Sequence, residues 1–138
     1  HKHTWYLIRH GELLGYSEAE HLMVAAIARY HRRGLPKKRH ESWQVIEGRD
    51  NRQTVASMAL LLRLAASLDR RPAAVIRALV VEPEGSRSGG GAALAVRLLP
   101  SFTEGQGDVD LSLERWSLRS CAPAVLEATG LRLKVPEP

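Results

Sequence analysis

The stretch MALLLRLAASLDRRPAAVIRALVV, residues 58–81, changes its periodicity in the middle, and that change sets the fold class. Up to Leu68 the apolar residues recur at helical spacing. Val55, Met58, Ala59, Leu61, Leu62, Ala65 and Leu68 give a helix from about Arg49 to Asp69 the broad apolar face of a central element. Pro72 closes the pattern, because proline lacks the N–H that would continue the helix. Beyond it, Val75 to Val81 reads as a strand, more apolar than the alternating strands downstream.

Upstream of this stretch the chain reads as helices. Thr4 to Leu14 is expected to form a short helix with Trp5, Leu7, Ile8 and Leu14 as candidate buried positions, ended by Gly15. Ser17-Glu18-Ala19-Glu20 has the form of a capping box, in which a serine hydroxyl and a glutamate carboxylate each take a free backbone N–H. The helix it opens runs to about His31, with Met23, Ala26, Ile27 and Tyr30 at helical spacing. Gly34-Leu35-Pro36 stops it, and a polar segment, Lys37 to Gly48, follows.

Downstream, the period falls to two. Leu94 to Leu98, Val109 to Leu113 and Leu131 to Val135 alternate apolar and polar residues, as strands with one buried face do. Ser86 to Gly91 is a glycine- and serine-rich hairpin connection. Gly89-Gly90-Gly91 lacks the Lys-Ser/Thr and the following helix of a phosphate loop. Glu114 to Thr129 reads as one helix, with a kink or a late start at Pro123 and an end at Gly130. The expectation is an α+β fold: a helical lobe over 1–72, then a β-β-β-α-β lobe over 73–138, a small antiparallel sheet with one packed helix.

The net charge of +5 is unevenly placed. Residues 1–72 hold 13 Lys and Arg against 7 Asp and Glu, a net of +6; residues 73–138 hold 7 against 8, a net of −1. Seven of the basic groups crowd around one turn: Arg29, His31, Arg32, Arg33, Lys37, Lys38 and Arg39, with His40 beside them. Arginine forks onto phosphate oxygens and lysine supplies mobile point charge, so this segment is the candidate anion-binding site. The bland reading is a solvated basic loop.

Other chemistries find less support. His1 and His3 are two apart, which does not share a helical face, and His10, His21, His31 and His40 are scattered without an HExxH or CxxC pattern. No catalytic residue, metal ligand or cofactor is assigned to this chain. Cys121 is the only cysteine, so no internal disulfide forms, and it reads as a small buried apolar group in a cytoplasmic protein. Trp5, Tyr6, Tyr30, Trp43 and Trp116 read as core or interface anchors. The apolar run Met58–Leu68 is broken by Arg63, so no membrane span is expected, and no signal peptide is visible. The chain opens on His1, not Met, which suggests a fragment.

Three stretches carry a family resemblance. His1 to Arg9 with Gly11 to Tyr16, Ile27 to Arg32 with Leu35-Pro36, and Leu61 to Ala65 with Leu68-Asp69-Arg70 are similar, in order and spacing, to the C-terminal HD-like region of the Ppx/GppA exopolyphosphatase family. Leu113-Glu114-Arg115-Trp116 is a fainter echo. The resemblance implies an accessory module of an exopolyphosphatase or guanosine pentaphosphate phosphohydrolase, whose actin-like catalytic domains lie outside this chain. It also implies contact with polyphosphate or a similar polyanion, and a homodimer. Mg would belong to a longer protein that carries those domains. An alternative is an HD-type phosphohydrolase using Mn, Mg or Fe, with ligands supplied from outside the chain. Against it, Leu64-Ala65-Ala66 stands where such families often have Leu-Ala-Asp, and Asp69 is not the matching position. A third reading is a purely structural dimerisation domain.

Overall fold

A computed structural model describes residues 2–32, 34–85, 92–101 and 109–137. These form six helices and three strands, so the α+β expectation holds. The chain divides into two compact units, residues 1–63 and 64–138.

The first unit holds α1 (Lys2–His10), α2 (Glu18–Tyr30), α3 (Glu41–Gln44) and most of α4 (Arg49–Leu68). The capping box forms as its residues require. The Glu20 N–H donates to Ser17 Oγ at 3.3 Å, and the Ser17 N–H donates to the Glu20 carboxylate at 2.8 Å. That backbone donor holds the Glu20 carboxyl below its ordinary range. Trp5, Ala25, Ala26, Tyr30, Ile46, Val55 and Ala59 make the core, with Ile8, Leu22, Met23, Ile27, Trp43 and Val45 packed against it. The two alanines leave room for large neighbours to pack closely.

Three expectations change in this unit. The first helix stops at His10, because Gly11 turns back and donates its N–H to Ile8 O at 3.2 Å. A Cβ at position 11 would lie 2.9 Å from Leu7 O, so glycine is what this tight turn admits. Leu7 and Leu14 are consequently exposed, not buried. The long helix buries Val55, Ala59 and Leu60, whereas Met58, Leu61 and Leu62 remain 48%, 59% and 41% exposed. An apolar pattern that wraps most of a helix does not choose which side packs. The segment 37–48 is polar in composition, yet it contains the single turn α3 and buries Ser42 and Ile46.

The second unit holds β1 (Ile76–Glu84), β2 (Ala93–Pro100), α5 (Ser112–Arg119), α6 (Ala122–Thr129) and β3 (Arg132–Lys134). β1 and β2 pair antiparallel, with Leu79 opposite Leu98 and Val81 opposite Val96. β3 pairs parallel to β2, with Leu133 opposite Leu94, so the sheet is mixed and not wholly antiparallel. The two helices between β2 and β3 supply the crossover that a parallel connection needs. Leu98, Leu111, Leu118 and Val135 form the core, with Leu64, Leu68, Val75, Ile76 and Leu133 against it.

The strand expected over Val109–Leu113 does not form. Asp110 accepts the Ser112 N–H at 2.9 Å and the Ser112 hydroxyl at 2.7 Å, which bends the backbone and starts α5 instead. The single helix expected from Glu114 is two. Ser120 and Cys121 separate them, and Pro123 sits in the first turn of α6, where its missing N–H costs nothing. Gly130 ends α6 at φ 73°, a left-handed position that glycine fills without strain. Cys121 is buried, as expected. Tyr6 and Trp116 are mostly exposed, so they are not core residues. The Ser86–Gly91 connection and Arg33 lie outside the described residues. No helix among the described residues is long and apolar enough to cross a membrane.

Candidate anion-binding site

The basic segment begins in the last turn of α2 and continues to α3. Arg29 belongs to the helix and lies over the Tyr30 ring, 6.0 Å from its centroid. Tyr30 is buried, and its hydroxyl meets Ser42 Oγ at 2.7 Å and His40 Nδ1 at 3.1 Å. The Tyr30 and His40 rings stack at 5.7 Å. His40 closes the next turn from both sides. Its N–H donates to Lys37 O at 2.9 Å, and its Nδ1 accepts the Lys37 N–H at 3.3 Å. Gln44 Nε2 donates to Lys38 O at 3.0 Å. The turn that displays Lys37, Lys38 and Arg39 is therefore tied to the buried Tyr30–Ser42 pair.

Arg63, in α4, holds the other end. Its guanidinium donates to the carbonyls of Tyr30 and His31 at 3.1 Å each and of Gly34 at 3.0 Å. The carbonyls of Tyr30 and His31 are orphan acceptors at the negative end of α2, an end that would repel an anion if left uncovered. From the sequence, Arg63 is only an interruption in an apolar run; the two turns it joins are about thirty residues away along the chain.

The result is an open cleft of about 240 Å³ lined by Lys2, Arg29, Tyr30, Gly34, Leu35, Lys37 and His40. Of the seven residues named from the sequence, Arg29 and Lys37 line it. Arg32, Lys38 and Arg39 are exposed outside it, and Arg33 is not among the described residues. His31 is half-buried and turns its Nδ1 to Ala28 O at 2.6 Å, so that nitrogen donates to backbone. The structure adds two residues, Lys2 and His40. His40 carried a sequence signal as the neighbour of the basic run, whereas Lys2 carried none.

The electrostatics are one-sided. Among the described residues, Arg29, Arg32, Lys37, Lys38 and Arg39 have no ion pair, whereas Arg9 is paired with Glu41 and Arg71 with Glu114. No carboxylate lines the cleft. His40 is held below its ordinary pKa by burial first, then by the charges of Arg29, Arg39 and Lys37. Burial raises the Tyr30 phenol. Arg29 and Lys37 thus bring unpaired positive charge to the cleft itself, and cations of this kind are suited to hydrogen-bonding an oxyanion. Among the described residues no three His, Cys, Asp or Glu side chains come together.

Residues 1–89 match the family model described as Ppx/GppA phosphatase, domain III. That span contains every residue of the cleft. No curated protein matches the chain.

Proposed function

The chain belongs to the Ppx/GppA phosphatase family, and from that premise we propose that it is an accessory module that holds a polyphosphate-like anion and supports dimerisation, the reactive groups residing in other domains. The observation that carries the anion reading is the set of unpaired cations, Arg29, Arg32, Lys37, Lys38 and Arg39, gathered around one braced turn. A repeating anion needs many such contacts and no reading of bases.

Binding of long-chain polyphosphate should weaken steeply with salt. Counterion release gives a slope of log affinity against log salt of about −0.7 per neutralised phosphate on a flexible single chain, so four or five contacts predict roughly −3. Replacing Arg32, Lys38 and Arg39 by glutamine should flatten that slope by about 2 and lower affinity at least tenfold at moderate salt. Affinity unchanged in that variant would sink the reading.

Dimerisation draws support from α4. Met58, Leu61 and Leu62 lie at helical spacing on one face and are exposed, which is unusual for three large apolar residues in a row of neighbours. Sedimentation should show a dimer for the parent chain and a monomer for Leu61→Asp. Identical profiles for the two would remove this face from consideration.

A further inference from the structure

We infer that the cleft between Lys2, Arg29, Lys37 and His40 seats one phosphate group of the bound polyanion, and that His40 takes up a proton when it does so. The inference rests on the polyanion reading above and adds a discrete, proton-coupled seat to it. The cleft, at about 240 Å³, has ample room for one phosphate group, and its charged lining is cationic.

Every charged group facing the ring is cationic. Lys2 comes from α1, Arg29 from α2, and Lys37 and Arg39 from the turn. Tyr30 from α2 is a neutral phenol at neutral pH. Glu41, the next residue in α3, is engaged by Arg9. Without an anion, burial first and then the charges of Arg29, Arg39 and Lys37 disfavour the protonated imidazole. In the neutral form Nδ1 is an acceptor, which is the role it plays toward the Lys37 N–H. A phosphate among Lys2, Arg29 and Lys37 offsets the cationic field, and the imidazole then gains by protonating. By linkage, whatever the anion does to the proton affinity, the proton does equally to the anion affinity.

The local hydrogen bonds can rearrange at small cost. Protonated Nδ1 faces Tyr30 Oη at 3.1 Å, and that oxygen accepts from it while donating to Ser42 at 2.7 Å. The Lys37 N–H loses a long contact of 3.3 Å on an exposed residue, where water replaces it. The 2.9 Å bond from the His40 N–H to Lys37 O keeps the turn closed. A new positive charge within the cleft therefore outweighs one weak bond.

The test uses the whole chain and long-chain polyphosphate, whose internal phosphates do not titrate near neutrality. The His40 ring protons, followed by NMR between about pH 5.5 and 8, should titrate at a midpoint about one unit higher with polyphosphate than without. The gain in affinity between pH 8 and pH 6 should be roughly three- to fivefold for the parent, and should shrink towards unity in His40→Gln. A His40 midpoint that polyphosphate leaves unmoved overturns the inference, as does a His40→Gln variant with the parent's full pH dependence. If salt-sensitive binding persists in either case, the polyanion reading survives; absence of binding at both pH values defeats both.

Discussion

Glu114→Ala should unfold the second unit at a clearly lower temperature than the parent. Glu114 has no exposed surface, and its carboxylate is gripped by Arg71, whose Nε donates to Oε1 at 2.8 Å and whose Nη2 donates to Oε2. The same Nη2 donates to Asp110 O at 2.7 Å, next to the turn that starts α5. One guanidinium thus joins the segment after α4 to the first turn of α5. Truncating the glutamate removes the pair and strands the donors of Arg71. Breaking a fully buried pair costs about 3–5 kcal/mol. The Arg71 side chain is 34% exposed and regains some water, so about 2 kcal/mol is expected here. That corresponds to a fall in Tm of roughly 8–16 °C for a unit of this size.

The same residue sets an acid limb. Hydrogen bonding from Arg71 holds the Glu114 carboxyl below its ordinary value of 4.5, against the opposing effect of burial. A carboxyl with a depressed pKa in the folded state contributes its full stability above the unfolded value. That stability is lost as pH falls through the folded one. Thermal melts taken from pH 7 downward should therefore hold steady to about pH 5 and then decline. Asp110, lowered by its bonds from Ser112, adds to the decline with the same sign. Glu114→Ala should show a shallower acid limb, with the Asp110 part remaining. A variant as stable as the parent at pH 7, with an unchanged limb, would remove Glu114 from this role.

Arg63→Ala is expected to loosen the anion site from behind. Its fork satisfies two carbonyls at the end of α2 and that of Gly34 in the turn beyond, and charge-assisted bonds of this kind are worth about 1.5–3 kcal/mol each when well formed. Arg63 is half-buried, so a combined loss of about 2–3 kcal/mol is expected. The carbonyls it covers would also present negative potential beside Arg29. Polyphosphate affinity should fall about tenfold, close to 1.4 kcal/mol. Hydrogen exchange separates positioning from general destabilisation: amides 31–40 should lose protection while those of α2 upstream of Ala26 keep theirs. Lysine at 63 should restore little, because a point charge cannot reach three acceptors as a planar fork does. Uniform loss of protection across the first unit would mean that Arg63 serves the fold and not the site.

Much of the fold was readable where its causes are local. The Ser17–Glu20 box, the stop at Gly130 and the strands on either side of residues 86–91 each depend on hydrogen bonds or side-chain alternation within a few residues. The basic character of the site was also readable, because charge is a property of composition. The misreadings have a common origin. Val109–Leu113 alternates like a strand, but the Asp110 side chain captures Ser112 and turns the backbone into a helix. Leu7, Met58 and Leu61 are apolar enough for a core, but other faces of their helices pack there, and Leu14 lies in the turn beyond the end of α1.

By itself, then, the order of residues determined the α+β class, the caps and breaks of its elements, and the gathering of positive charge around one turn. Only the tertiary structure decided which face of α4 packs. It alone brought Lys2 and His40 into the cleft, joined Arg63 to the end of α2, and joined Arg71 to Glu114. The reason is distance along the chain. Capping and alternation act between near neighbours and leave a pattern, whereas a guanidinium that reaches carbonyls some thirty residues away leaves none. It becomes visible only when packing has brought the partners within hydrogen-bond range.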